Sequence, residues 1–198
     1  MKKIVLLALV MTVILSLTAC EDDEVKYIES SSKDIPQWVV NQASFERDNS
    51  LYFVGLMDKV QSLNFTRDAV KTATIKVSEQ ISLDSIGYYQ KLRSANNFTD
   101  NEMMDIEDAI KTQSKASLSG IEEAGTFWVK VKEKSTGKEY FRIYTLLKIS
   151  KDSFNESKKI TIEKALQITK QKAEQSNKKE MIEKLEKIEK KLNETESK

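Results

Sequence analysis

The chain has 198 residues, 39% of them hydrophobic, with 32 Lys and Arg against 31 Asp and Glu, one cysteine and no histidine. That length fits one domain with attachments, and the near-zero net charge leaves no global field to draw nucleic acid, so no nucleic-acid partner is expected. A single cysteine excludes an intrachain disulfide. The lack of histidine removes the commonest metal ligand and general base, so no metal and no cofactor are expected. One proline and five glycines suit long helices better than a many-turned β sandwich.

At the start, Lys2 and Lys3 precede an apolar run from Ile4 to Leu15, and small residues then lead to Cys20. This is the layout of a secretory signal over residues 1–19, too short for a comfortable transmembrane span. Leu17, Thr18, Ala19 and Cys20 resemble the bacterial lipobox. That resemblance implies cleavage before Cys20, a thioether-linked diacylglycerol on its sulfur and a further acyl chain on its new amino group. Each buried methylene contributes about 0.8 kcal/mol, so two or more chains anchor a protein that one would not hold. Cys20 is therefore expected to be a lipid attachment site and not a nucleophile. The expected location is the bacterial cell envelope, at the outer membrane, on its periplasmic or surface face.

Residues 20–34 contain "EDDEVKYIESSSKD", acidic and Ser-rich, and are expected to be a solvated, flexible tether. The "EDDE" cluster lacks the spacing and turn glycine of a calcium loop. A folded domain is expected over 35–152. Pro36 biases Ile35 toward an extended conformation, and Trp38, Val39 and Val40 bring the first apolar surface. "LYFVGLM", residues 51–57, reads as a strand, with Gly55 marking a bulge or a backbone packed closely under another element. The period then becomes helical at Val70, Ala73, Val77 and Ile81, with Thr66 as expected N-cap and a kink or frayed end near Gly87, Tyr88 and Tyr89.

A second helix follows, in which Thr99 and Glu102 have capping-box spacing and Met103, Ile106 and Ile110 share a face. "GTFWVKVKEK" and "EYFRIYTLLKIS", joined by a turn carrying Gly137, give the strongest hairpin signal in the chain. The alternation predicts Phe127 and Val129 on the same inward face as Phe141, Ile143 and Leu147, against Val70, Ala73 and Val77, with Lys130 opposite. The expected fold class is α+β: a small, mostly antiparallel three-stranded sheet covered by helices.

Residues 153–198 are rich in Lys and Glu, and read as a charged helical C-terminal extension. Ile162, Leu166, Thr169 and Ala173 form one stripe, and Met181, Leu185, Ile188 and Leu192 form a second. Two heptads are too few for an independent coiled coil, so the second stripe is expected to pack on the domain or on a partner and to be dispensable for folding.

The segments "IPQWV", "LYFVGLM" and the paired "FWVKVKEK" and "EYFRIYTLLKIS" resemble the Helicobacter-type twenty-kilodalton outer-membrane lipoprotein (Lpp) family, itself similar to flagellum-associated lipoproteins of the FlgO and FlgP kind. The motifs are Pro36, Trp38 and Val39, and Val54 with Gly55. The resemblance spans roughly residues 35–152 and the lipobox; it departs from the family pattern in having Thr72, Thr74 and Ile75 where alanines are usual. It implies a lipoprotein working by contact, with an envelope or flagellar protein as partner. It brings no catalytic residues.

An enzyme is not expected. Ser135 and Lys138 have Ser-x-x-Lys spacing but fall in a polar hairpin turn, whereas that chemistry needs a serine buried at a helix start. Glu102, Asp105 and Asp108, or Glu122 and Glu123, have the residue type for paired acid and base, yet read as the wet faces of their elements. Two function classes remain. The first is a structural or interaction lipoprotein held to the membrane through Cys20, with homo-oligomerisation left open. The second is an envelope binding protein that takes a small ligand or peptide in an apolar groove near Trp38, Tyr52 and Trp128.

Overall fold

The computed structural model describes residues 25–196, with side chains through Leu192. Cys20, the signal segment and the "EDDE" cluster lie outside the described residues. No helix among the described residues is long and apolar enough to cross a membrane. The fold class is α+β, but the sheet has five strands rather than three, all antiparallel. They are β1 (Val25–Ser30), β2 (Phe45–Arg47), β3 (Ser50–Val60), β4 (Ile121–Glu133) and β5 (Glu139–Ser150), in the order β1-β4-β5-β3-β2.

The two strands beyond expectation arise for different reasons. β1 lies within the expected tether, so residues 25–30 belong to the sheet and are not a solvated linker. Its polar composition suits an edge strand, which needs one paired side only: Val25 is buried, and just past the strand the Ser31 N–H donates to the Trp128 carbonyl at 2.9 Å. β2 is formed by a tight turn at Asp48 and Asn49, whose φ values of 48° and 55° match the primed hairpin turns that Asn and Asp tolerate.

Helix α1 (Gln37–Asn41) follows β1. The chain then runs through β2 and β3 into a 3-10 turn at Leu63–Phe65 and α2 (Thr66–Asn96). Thr66 is the first helical residue and not the cap. Ser62 caps the preceding turn, its hydroxyl accepting from the Asn64 N–H. Gly55 resolves to close packing: a Cβ there would lie 2.0 Å from the Ala69 carbonyl oxygen and 2.9 Å from the Ala73 Cβ. The bulge falls further on, where pairing with β5 shifts between Met57 and Val60 and Lys59 takes φ 56°. Small side chains at Ala69 and Ala73 thus let α2 lie directly on β3, with Val77 and Ile81 packing against Phe53 and Ile149.

Near Gly87 the helix does not fray; it continues unbroken for two more turns. The local cost of glycine, about 1 kcal/mol, is outweighed by tertiary burial of the following turns. Tyr89 is fully buried, packs edge-on against Tyr88 and donates its hydroxyl to the Ile162 carbonyl at 3.2 Å. α2 ends where Asn97 adopts the left-handed conformation. The expected capping box then starts α3 (Asp100–Ala116): the Thr99 hydroxyl accepts from the Glu102 N–H, and the Glu102 carboxylate accepts from the Thr99 N–H.

The β4–β5 hairpin forms as expected, but its register overturns the expected inward set. Phe127 lies opposite Tyr144, Trp128 opposite Ile143, and Val129 opposite Arg142. Residues directly opposite share a face. Phe141, Ile143 and Leu147 therefore face α2, while Phe127 and Val129 face away and cluster with Val54, Tyr144 and Leu146. Val70 is only half-buried. The alternation along each strand is as read; the relation between the strands is one residue off. Lys132 pairs with Glu139, leaving six residues between them, and an even number sets odd positions against even ones. The second face is apolar as well, and Trp38 and Val39 of α1 pack into its cluster.

α4 (Lys151–Gln175) and α5 (Lys179–Glu196) complete a helical layer beyond α2. α4 crosses α2 and α3, and its buried Thr161 and Thr169 return their hydroxyls to their own helix at 2.8 Å. The second heptad stripe packs on the domain, one of the two placements expected for it. Met181, Leu185 and Ile188 are fully buried and join Tyr89, Ile106, Ile110 and Leu166 in the largest apolar cluster.

Candidate functional site

The three aromatic residues expected to border a groove do not converge. Trp38 projects from α1 onto the second sheet face, over Gly125. Tyr52 shares that cluster but lies near the β2 hairpin, stacked on Phe45 with ring centroids 4.8 Å apart. Trp128 points through the opposite face, edge-on to Phe141 at 5.8 Å. The register that separates Phe127 from Phe141 thus also separates the two tryptophans. Tyr52 borders a cavity of about 300 Å3 with Phe45, Phe154, Glu46 and Asp84, but neither tryptophan lines it. Its carboxylates are engaged: Glu46 pairs with Lys151, and Asp84 accepts from the Gln80 amide at 2.9 Å.

Several residues with the right chemistry for acid–base work are held in structural roles. Ser135 and Lys138 stay in the β4–β5 turn, where Gly137 takes φ 70° and the Lys138 N–H donates to the Thr136 hydroxyl. Asp105 pairs with Lys178 at 3.2 Å, joining α3 to the loop before α5. Glu102 both caps α3 and meets Lys184 of α5 at 3.2 Å. Burial alone would raise its pKa, but hydrogen bonds from the Thr99 N–H and the Lys184 ammonium, with the lysine's charge, hold the carboxyl below the ordinary range. Lys184 is itself buried, donates to the Asn97 carbonyl at 2.9 Å and pairs with Glu180 at 3.0 Å. Burial would lower its pKa, but the carboxylates of Glu180 and Glu102 raise it above the usual lysine value. This cluster latches α5 onto the α2–α3 turn. Among the described residues no group of three His, Cys, Asp or Glu side chains is arranged to hold a metal.

Sequence reasoning missed a groove along the α2–α3 seam. The two helices run antiparallel, and small buried residues, Ser78 and Ser82 from α2 and Ser114 from α3, form its floor. Two adjoining cavities of about 470 and 330 Å3 share Ser78 and Lys115. Ile75 is 50% exposed and Leu83 63% exposed, two turns apart, and both border the groove. The sequence does carry a signal for it. Both residues fall off the stripe of Ala69, Ala73, Val77 and Ile81, leaving two large apolar side chains on a helix face that the sheet cannot cover. No known protein family, no curated protein and no solved structure matches the chain.

Proposed function

We propose that the chain is a lipid-anchored bacterial envelope lipoprotein with a structural or interaction role, working by contact rather than catalysis. The observation that carries this reading is the run from Lys2 through the apolar segment to Leu17, Thr18, Ala19 and Cys20. Its resemblance to the lipobox supports a diacylglycerol anchor at Cys20. The resemblance of the following domain to the Lpp-type lipoproteins supports a partner at the outer membrane, among envelope or flagellar proteins.

The fold adds a geometric consequence. With β1 starting at Val25, only four residues separate an acylated Cys20 from the sheet. Fully extended, they reach about 14 Å. An anchored domain would therefore ride close to the bilayer instead of swinging on a long tether. Glu102, Asp105 and Lys138 are engaged in a cap, ion pairs and a turn, which supports a contact role. The alternative of a groove built on Trp38, Tyr52 and Trp128 lacks convergence, because the sheet stands between Trp128 and the other two.

Replacing Cys20 by serine tests the anchor. The expected result is loss of lipid label and a shift of the protein from the detergent phase to the aqueous phase on partitioning. An unchanged mature mass with retention in the detergent phase overturns the reading. Affinity capture from crosslinked cells then identifies the partner, and an envelope protein is the expected product.

A further inference from the structure

We infer that the α2–α3 groove is a docking site for an amphipathic helix whose flank facing α3 is acidic. The inference rests on the reading of the chain as a contact-making lipoprotein, and names the surface and the partner chemistry. Three observations lead to it. The groove is concave, its floor set by serines while longer side chains project at the rim, so it fits a convex rod and not a flat lipid surface. Its apolar anchors, Ile75 and Leu83, are eight residues apart on one helix, a spacing of about 12 Å. That matches an occupant presenting apolar residues two turns apart, as in helix-in-groove recognition.

The charges around the groove set the occupant's polarity. Lys111 and Lys115, one turn apart, form the α3 rim, and Lys71 stands at one end. Lys111 meets Asp108 only at 3.9 Å, and Lys71 meets Asp68 at 2.8 Å; both lysines are exposed and able to take a second carboxylate. Among the described residues Lys115 makes no ion pair. Opposite the Lys111–Lys115 pair the α2 rim carries Glu79, also exposed, with Lys71 of the same helix only at the groove's end. A helix with carboxylates toward α3 and neutral or basic residues toward Glu79 satisfies both rims, whereas the reversed helix meets like charge on each. The groove therefore selects orientation as well as charge.

The test uses the full chain in phosphatidylcholine nanodiscs, titrated into fluorescein-labelled sixteen-residue peptides read by anisotropy. One peptide is an amphipathic helix with leucines on one face and glutamates on one flank. A second exchanges those glutamates for lysines, and a third is a scramble of the first. The glutamate peptide should bind at least about tenfold tighter than either, the scale expected when two exposed ion pairs replace two repulsions. The double variant Lys111→Glu, Lys115→Glu should reverse the preference, and Ile75→Ala with Leu83→Ala should weaken both helical peptides. All four side chains are exposed enough that folding should be unaffected, which circular dichroism checks.

Equal binding of the three peptides, or a preference that survives the charge reversal, overturns the proposal. So does competition of the peptide by phosphatidylglycerol vesicles through the same lysines, which would make the occupant a lipid surface. Self-association that the peptide displaces would make it a second copy of the chain, and likewise overturns it. The same titration on the Cys20→Ser chain in buffer should show the same preference, so failure of the anchor and failure of the groove are separate readouts.

Discussion

The two halves of α2 solve different packing problems with one continuous helix. Its first half lies on the sheet through Ala69, Ala73, Val77 and Ile81, so close that Gly55 beneath it has no room for a Cβ. Its second half leaves the sheet and enters a helical core, where Tyr89 bonds to α4 and shares one apolar cluster with residues of α3 and α5. Close approach in the first half demands the smallest side chains, and the wider spacing of the second demands large ones. One element thus couples two cores, and this coupling makes the charged C-terminal helices part of the domain rather than an extension of it.

Removing residues 179–198 should break the comparison most severely. Met181, Leu185 and Ile188 are each at most 2% exposed, and burial of three such side chains contributes about 5–9 kcal/mol. That approaches the entire stability of an ordinary domain. Both tryptophans sit in the sheet half, so their fluorescence reports that half, while circular dichroism reports helices in both. The truncated chain should lose both signals at a common, much lower urea midpoint. A tryptophan transition that stays where it is in the full chain would show that α2 does not couple the halves.

Gly55→Ala attacks the other half. Overpacking usually costs about 1–3 kcal/mol, and here the new atom meets a backbone oxygen at 2.0 Å, so the cost should reach or exceed the top of that range. Shrinking Ala73 to glycine should rescue little, because the Ala69 carbonyl remains in place. Full rescue in a urea melt would mean that the side chain, and not the helix backbone, sets the limit.

How much of this was legible follows from which contacts are local. The capping box at Thr99 and Glu102 is written within four residues, and the alternations of β4 and β5 within each strand; both could be read directly. Gly55 could be read only as a bulge or a close approach, and the packing of α2 over β3 decides for the second. The pairing register could not, since it depends on how many residues the turn leaves unpaired, and nothing within either strand encodes that. The same limit hid the separation of Trp38 from Trp128. β1 was hidden because an edge strand with one paired side tolerates the polar composition of a tether. The α5 stripe was legible as a face, but its occupant depended on where α2 and α3 end. The α2–α3 groove depended on which face of α2 the sheet leaves uncovered, again a tertiary matter.

The latch that holds α5 to the α2–α3 turn has a defined pH signature. Glu102 has its folded pKa lowered, so its contribution is present above the unfolded value of about 4.3 and is lost as pH falls through the lower folded value. Glu102→Gln should cost about 1.5–3 kcal/mol near neutrality, the range for hydrogen bonds to charged groups, since Lys184 stays buried beside it. The difference between variant and wild type should shrink as pH is lowered from 6 toward 3. Urea midpoints that stay parallel across that range would place the acid sensitivity elsewhere.

Gly87→Ala should give the smallest effect, and of the opposite sign. Gly87 lies within α2 and Gly55 beneath it on β3, yet only Gly55 is required. A Cβ at Gly87 would meet nothing within 4 Å, and the residue lies in the middle of a helix with ordinary negative φ. Alanine removes conformational freedom from the unfolded chain without crowding the folded one, so it should stabilise by about 0.4–1 kcal/mol. The gain should come with unchanged tryptophan fluorescence, because the site touches neither the sheet nor its aromatic clusters. A destabilising Gly87→Ala would show that the second half of α2 needs a flexible point where it leaves the sheet, and that its two halves are joined by a hinge rather than by a rigid helix.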